Sequence, residues 1–136
     1  MDRLTPERRS WLMSRVKSKN TTTELAVRRL VFGMGYRYRL HYKQLSGKPD
    51  LVFPGKRKAI FVNGCFWHGH KRCRYGRLPK TRIDFWQAKI QNNKKRDRNS
   101  IRSLSVAGWK SLTVWQCELK NPDTLAKKLY EFIEHK

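Results

Sequence analysis

Asp50 stands at the head of a predicted strand, directly after the turn Ser46-Gly47-Lys48-Pro49. A carboxylate there is held by rigid backbone and points out from the rim of a sheet. Phosphodiester cleavage needs such a fixed hard oxygen for Mg²⁺; the plainer alternative is that Asp50 completes the turn. The following strand ends at Val62-Asn63, within hairpin reach of Asp50, so an acid and a polar cluster meet at one edge. A second chemistry follows at once. Cys65 and Cys73 bracket His68 and His70, and Cys117 lies on a later strand. Three thiols with one imidazole, from either His70 or its rival His68, make a common closed zinc shell. Three buried free cysteines would be the bland alternative.

Phe66-Trp67 sit in the same loop, beside a metal-ligand candidate and two histidines. In a strongly basic chain, paired aromatics in a loop suit base stacking or insertion into a duplex; capping the core is the competing use. Downstream, Trp86, Lys89, Asn93 and Asp97 are spaced by three, four and four, which puts them on one helix face. An aromatic, a cation, an amide and an acid read as a recognition stripe, with Phe85, Ile90, Ile101 and Leu104 turned to the core.

These groups need a frame. Thr5-Pro6-Glu7 opens a helix carrying Trp11, Leu12 and Met13, and Thr21-Thr22-Thr23-Glu24 is a capping box for a second helix that stops at Gly33 or Gly35. Tyr36, Tyr38, Leu40 and Tyr42 alternate with Arg37, Arg39 and His41, predicting a strand. Short strands follow over 50–53 and 58–62, then a loop over 63–80, a long helix from Thr81 to Gly108, a strand over 109–117 and a final helix capped by Asn121-Pro122-Asp123. The order α-α-β-β-β-α-β-α predicts one α/β domain over 1–136. Its mixed four-stranded sheet is flanked by helices, with residues 1–20 as an N-terminal helix or arm.

Lys and Arg total 32 against 10 acids in 136 residues, a net charge of +22. Nucleic acid is the expected partner for such a domain. Neither an apolar run of ~20 residues nor a signal peptide is apparent, so a cytoplasmic place and no membrane are expected. An acid at one strand and a polar cluster at the next is also the geometry of PD-(D/E)XK nucleases. The acid-x-Lys of that type is missing, since the second strand reads Ile60-Phe61-Val62-Asn63.

The run Phe61-Val62-Asn63-Gly64-Cys65-Phe66-Trp67-His68-Gly69-His70 resembles the signature of the very-short-patch repair (Vsr) endonucleases. Gly47-Lys48-Pro49-Asp50, Thr81-Arg82-Ile83-Asp84-Phe85-Trp86, Arg96-Asp97-Arg98 and Val114-Trp115-Gln116-Cys117 are similar as well. The resemblance implies a PD-(D/E)XK-like restriction-endonuclease fold with a structural zinc. It also implies nicking of duplex DNA 5′ to the thymine of a T·G mismatch, the lesion left by deaminated 5-methylcytosine. By the same resemblance, Asp50 and the Val62 carbonyl hold a Mg²⁺ pair, Glu24 orients metal-bound water, and His68 is the candidate general base with Asp97 near it. Cys65, His70, Cys73 and Cys117 are then the zinc ligands. Phe66, Trp67 and Trp86 enter the DNA beside the mismatch, Met13 enters from the opposite groove, and Lys89 and Asn93 read the mispair. A monomer in the bacterial cytoplasm, working with mismatch-repair factors, is also implied.

One position departs from the pattern: members commonly carry histidine where this chain has Asn63. Asparagine can hold a water or phosphate oxygen but carries no proton near neutral pH. Asn63 therefore either positions while His68 alone moves protons, or marks a weakened nuclease, or is a change that traps a DNA complex. Two alternatives to the mismatch enzyme follow: an idle zinc-stabilised DNA-binding module, and a PD-(D/E)XK-like nuclease that cuts matched duplex.

Overall fold

The computed structural model describes residues 22–40, 42, 44–66, 68, 70 and 81–135. The predicted arm and first helix, with Met13, lie outside them. Helix α1 spans Thr22–Gly33 and buries Glu24, Val27, Arg28 and Val31, a three-four spacing that faces one side inward. Of the two candidate stops, Gly35 ends it. With φ at 95°, it lets the Tyr36 N–H reach the Val31 carbonyl and its own N–H reach that of Phe32.

Strands β1 (Leu51–Phe53), β2 (Lys58–Asn63) and β3 (Lys110–Trp115) form a three-stranded sheet in that order. β1 pairs antiparallel with β2, and β2 pairs parallel with β3, so the expected mixed sheet is present. The parallel pairing needs a long crossover, which helix α2 (Ile83–Val106) helps supply. Helix α3 (Pro122–Glu134) follows a 3₁₀ turn over Gln116–Lys120.

Among the described residues, the fourth strand expected over 36–42 is corrected to a single bridge, Arg39 with Val52. Arg39 exchanges both backbone hydrogen bonds with Val52, at 2.9 and 3.0 Å. The ladder cannot extend. The next opposing residue on one side is Pro54, which has no N–H. On the other side the Asp50 N–H is already turned to the Ile60 carbonyl, at 2.9 Å.

The sheet has helices on both faces. Leu51, Phe53, Ile60 and Val114 pack with Val27 and Val31 of α1 and with Leu125, Leu129 and Ile133 of α3. Alternate residues Val52 and Ala59 are buried on the other face. There the loop before β1 touches α2: a Cβ built on Gly47 would lie 2.6 Å from Ser100 Cβ and 3.2 Å from Phe61. Lys58 is nearly fully buried and donates to the carbonyls of Phe132 and Ile133, at 2.6 and 2.9 Å, and to that of His135. A cation on the last carbonyls anchors the end of α3 to β2.

Gly47 leads into Asp50 and has φ of 79°, so an alanine there would be strained in its backbone and crowded against Ser100. Gly47→Ala is expected to destabilise the fold by about 2–3 kcal/mol in urea unfolding. Gly55→Ala is the control: nothing lies within 4 Å of its added Cβ. Equal stability of the two variants would refute this account of the turn.

Candidate functional site

Asp50 leaves the Pro49 turn at the edge of β1 and accepts a 2.6 Å hydrogen bond from the Val62 N–H at the far end of β2. In an extended strand, N–H and C=O of one residue share an edge, so the Val62 carbonyl lies on that side too. Glu24 comes from α1, where it occupies the apolar stripe and is only 5% exposed. Its carboxyl lies next to that of Asp50. Burial, then the Glu24 carboxyl, pushes Asp50 up to about 8, against the pull of the Val62 N–H and Arg28. Two acids forced together away from water make an unfavourable pair, which a divalent cation would relieve. Their all-oxygen donor set suits a hard ion such as Mg²⁺.

Arg28, one turn along α1, donates to Glu24 Oε2 at 2.8 Å, and both side chains are buried. The sequence signal was available but unused: an acid and a cation four apart, both on the stripe that carries Val27 and Val31. Arg28 holds the Glu24 carboxylate in place.

β2 alternates its side chains, so Val62 turns to the α1 face and Asn63 to the α2 face. Asn63 is 8% exposed and lines a cleft of about 510 Å³ with His68, Asp97, Lys94 and Arg98. His68 Nδ1 lies 2.6 Å from Asp97 Oδ2, one from the loop after β2 and one from α2. With Nδ1 engaged by the Asp97 carboxyl, Nε2 is the ring nitrogen left for other chemistry, and His68 lines the cleft. The acids and the imidazole pair thus approach the end of β2 from opposite faces of the sheet.

The loop after β2 is closed by the Cys65 carbonyl, which accepts from the His70 N–H at 2.9 Å. His70 Nδ1 then lies 3.6 Å from Cys65 Sγ and 3.4 Å from Cys117 Sγ. Ligand atoms of the three residues all fall within 4.8 Å of one another, a group able to hold a metal ion. With zinc bond lengths of about 2.3 Å to sulfur and 2.0 Å to nitrogen, a tetrahedral S···N edge is about 3.6 Å, so the spacing fits. The His70 ring stacks on Trp115 with centroids 4.1 Å apart. Cys117 lies in the 3₁₀ turn rather than on the strand expected over 109–117, because β3 ends at Trp115.

Residues 1–74 match the family model described as DNA mismatch endonuclease Vsr. V.XorIIP of Xanthomonas oryzae pv. oryzae, a Type II nicking enzyme, is 51% identical over 133 residues, covering 98% of this chain and 97% of the relative. The DNA mismatch endonuclease Vsr of Escherichia coli is 37% identical over 130 residues, covering 92% of this chain and 83% of its own. This chain belongs to the Vsr family. It is a DNA endonuclease. The Type II nicking enzyme V.NmeAIP of Neisseria meningitidis is similar as well, at 39% identity over 132 residues, 97% of this chain and 94% of the relative.

Within this Vsr chain, Glu24, Asp50, Val62, Asn63, His68 and Asp97 gather round one strand end, as do Cys65, His70 and Cys117 at the neighbouring metal-binding group. Trp67 and Cys73 lie outside the described residues. The recognition stripe on α2 needs correction. Trp86 is 5% exposed and buried with Ile90, Ser100 and Leu104, while Phe85 and Ile101 are 46% and 38% exposed. The inward face therefore runs through 86, 90, 93, 97, 100 and 104. Asn93 and Asp97 are half-buried polar members of that face, and Lys89 is exposed beside it. Phe66 meets Trp86 edge-on at 5.5 Å, and Phe85 does so at 5.0 Å. Trp86 is thus buried between two phenyl rings.

No helix among the described residues is long and apolar enough to cross a membrane.

Proposed function

We propose that this Vsr-family endonuclease is Mg²⁺-dependent and nicks duplex DNA 5′ to the thymine of a T·G mismatch. One observation carries the reading: the end of β2 has the acids Asp50 and Glu24 near Val62 on one side and the His68–Asp97 pair in the cleft beside Asn63 on the other. Two further features support it. Relatives bear the names mismatch endonuclease and nicking enzyme, and Phe66 packs edge-on against Trp86, an aromatic pair that serves as a wedge once Trp86 leaves its buried place. A mismatched step is weakly stacked, so prying it open costs less than opening a paired one, and that difference becomes selectivity. Lys89 and Asn93 on α2 are the side chains offered to the mispair, with Trp67 and Met13 as further inserted groups. A bacterial cytoplasmic place and a monomer acting beside mismatch-repair factors belong to the same reading.

Asp50, Glu24 and the Val62 carbonyl would hold the Mg²⁺ pair, which supplies Lewis-acid stabilisation of the attacking and leaving oxygens. Asp97 fixes the His68 tautomer and orientation. His68 Nε2 takes the proton from the attacking water. Asn63 hydrogen-bonds and positions, leaving His68 as the proton carrier. Cys65, His70, Cys117 and Cys73 would hold zinc and brace the loop that presents His68.

The test is one labelled duplex set carrying T·G, T·A or C·G at the same position, with Mg²⁺ or EDTA. A nick confined to the thymine strand of T·G with Mg²⁺ is expected. Equal cutting of T·A identifies a nuclease of other specificity; binding without any nick identifies an idle module. If Asn63→His cuts and this chain does not, the chain is a crippled enzyme. Asp97→Asn should lower the nicking rate about 10³-fold, because the amide favours the wrong tautomer of His68. DNA affinity should barely change. A wild-type rate in Asp97→Asn would remove His68 from proton transfer.

A further inference from the structure

β2 presents no cation to the cleft, since its last residues are Ile60-Phe61-Val62-Asn63. The cations that line the cleft come instead from α2: Lys94 and Arg98, one turn apart, together on the flank of the helix next to the inward face that carries Asp97. They differ in setting. Lys94 is half-buried, whereas Arg98 is exposed, like the neighbouring Lys95 and Arg96. Asp97, the nearest acid in sequence, is engaged with His68 at 2.6 Å. Among the described residues, neither Lys94 nor Arg98 makes a hydrogen bond or ion pair. A cation on the cleft wall that no protein carboxylate engages is available to an anion entering the cleft.

We infer that Lys94 contacts a non-bridging oxygen of the phosphodiester that is cut, supplying from the helix the cation that the second strand lacks. The inference rests on the nicking reading above, and the second of its two tests reads binding without turnover. Charge on the non-bridging oxygens must be stabilised as the phosphodiester is cut. A compact point charge at the cleft wall suits that task. Arg98, exposed at the rim, adds affinity for flanking phosphate without touching the reacting one.

Two measurements decide it. In the first, single-turnover nicking is followed in Lys94→Met, Lys94→Arg and Lys95→Met, the last removing an equal charge outside the cleft. Lys94→Met keeps the stem, and its folding is checked by Tm. Its rate constant at saturating protein should fall about 100-fold, Lys94→Arg should recover most of the loss, and Lys95→Met should stay within about 3-fold. In the second, binding is measured with Ca²⁺ in place of Mg²⁺ to a series of duplexes. Each carries one neutral methylphosphonate at a different position. The effect of Lys94→Met should vanish when the neutral group replaces the phosphate that wild-type protein cuts. If wild type cuts nothing, the nicking reading fails. Coupling of Lys94 to a single phosphate then still supports the contact. Coupling to no phosphate, coupling to one other than that cut, or equal losses in Lys94→Met and Lys95→Met would overturn the inference.

Discussion

Asp50→Asn is expected to abolish nicking and, without metal, to make the protein more stable. Asparagine is isosteric: its amide oxygen can still accept from the Val62 N–H, and its amide nitrogen can donate to Glu24. The pair of acids becomes a neutral–acid pair, so the cost of holding two carboxylates together in a buried place is relieved. The sign follows from Asp50 itself. Its value is raised from 3.8 to about 8, so the folded chain keeps a proton that the unfolded chain releases. Its stabilising contribution is fully present below about pH 4 and is lost as the pH rises to about 8. The Tm advantage of Asp50→Asn should therefore be small near pH 4, grow through neutrality and level off above pH 8, reaching about 5 °C.

Divalent cations reverse the comparison. Millimolar Mg²⁺ or Ca²⁺ should raise the wild-type Tm at pH 8, since a ligand held only by the folded state stabilises it. Asp50→Asn should not respond. Its nicking rate should fall on the order of 10³-fold or more, given several kcal/mol of metal stabilisation at about 1.4 kcal/mol per tenfold. Calorimetry across pH, with and without the ion, checks both halves. A Tm difference that is flat with pH, or equal cation shifts in both proteins, would remove Asp50 from the metal site whatever the nicking assay reads.

How far the sequence disclosed this site depends on which residue is considered. The place of Asp50 was legible because a strand head after Gly-Lys-Pro sets a carboxylate at the sheet rim near the end of the next strand, although completing the turn was an equally open use until the Val62 N–H was found donating to it. The Cys65, His70 and Cys117 group was legible because thiols with an imidazole fit one chemistry. Which histidine belongs to it was not fixed by spacing, because the choice depends on a turn in which the Cys65 carbonyl accepts from the His70 N–H. Trp86 and Phe85 were exchanged. They are adjacent on α2, and each is large and apolar, so either could face inward until the sheet is in place to choose. The choice fell on Trp86, which lies one and two turns from Ile90 and Asn93 on the inward face. Polar members of that face misled the periodicity: Asn93 and Asp97 face inward because the cleft, not the core, lies beneath them. The strand over 36–42 failed for a different reason. Alternation records which side of a segment is dry, and the extended chain from Tyr36 does pack Tyr36 and Tyr38 against the core. A ladder also needs partner N–H groups, and β1 offers only Val52 there.

Removal of the second metal should have the larger effect on folding. The group formed by Cys65, His70 and Cys117 joins the loop after β2 to the turn after β3, two adjacent strands of the sheet. Gln116 adds a tie, its side-chain oxygen accepting from the Cys65 N–H at 3.4 Å. Trp115 adds another, stacked on His70 and fixed through its own N–H on Glu118, which Lys128 holds at 2.8 Å. Closed zinc sites in small domains contribute about 10 kcal/mol of apparent binding energy, part of which is folding energy. We expect purified protein to carry about one tightly held zinc per chain by mass spectrometry. Cys117→Ser should lose it together with more than about 10 °C in Tm. The consequence for activity separates the metals. His68 lies between Cys65 and His70 in the chain, so a loosened loop carries His68 away from Asp97. After a strong chelator, Mg²⁺ alone should fail to restore nicking, and zinc with Mg²⁺ should restore it. Retained zinc and Tm in Cys117→Ser would show that these residues merely pack; full recovery with Mg²⁺ alone would show that the loop holds His68 without the ion.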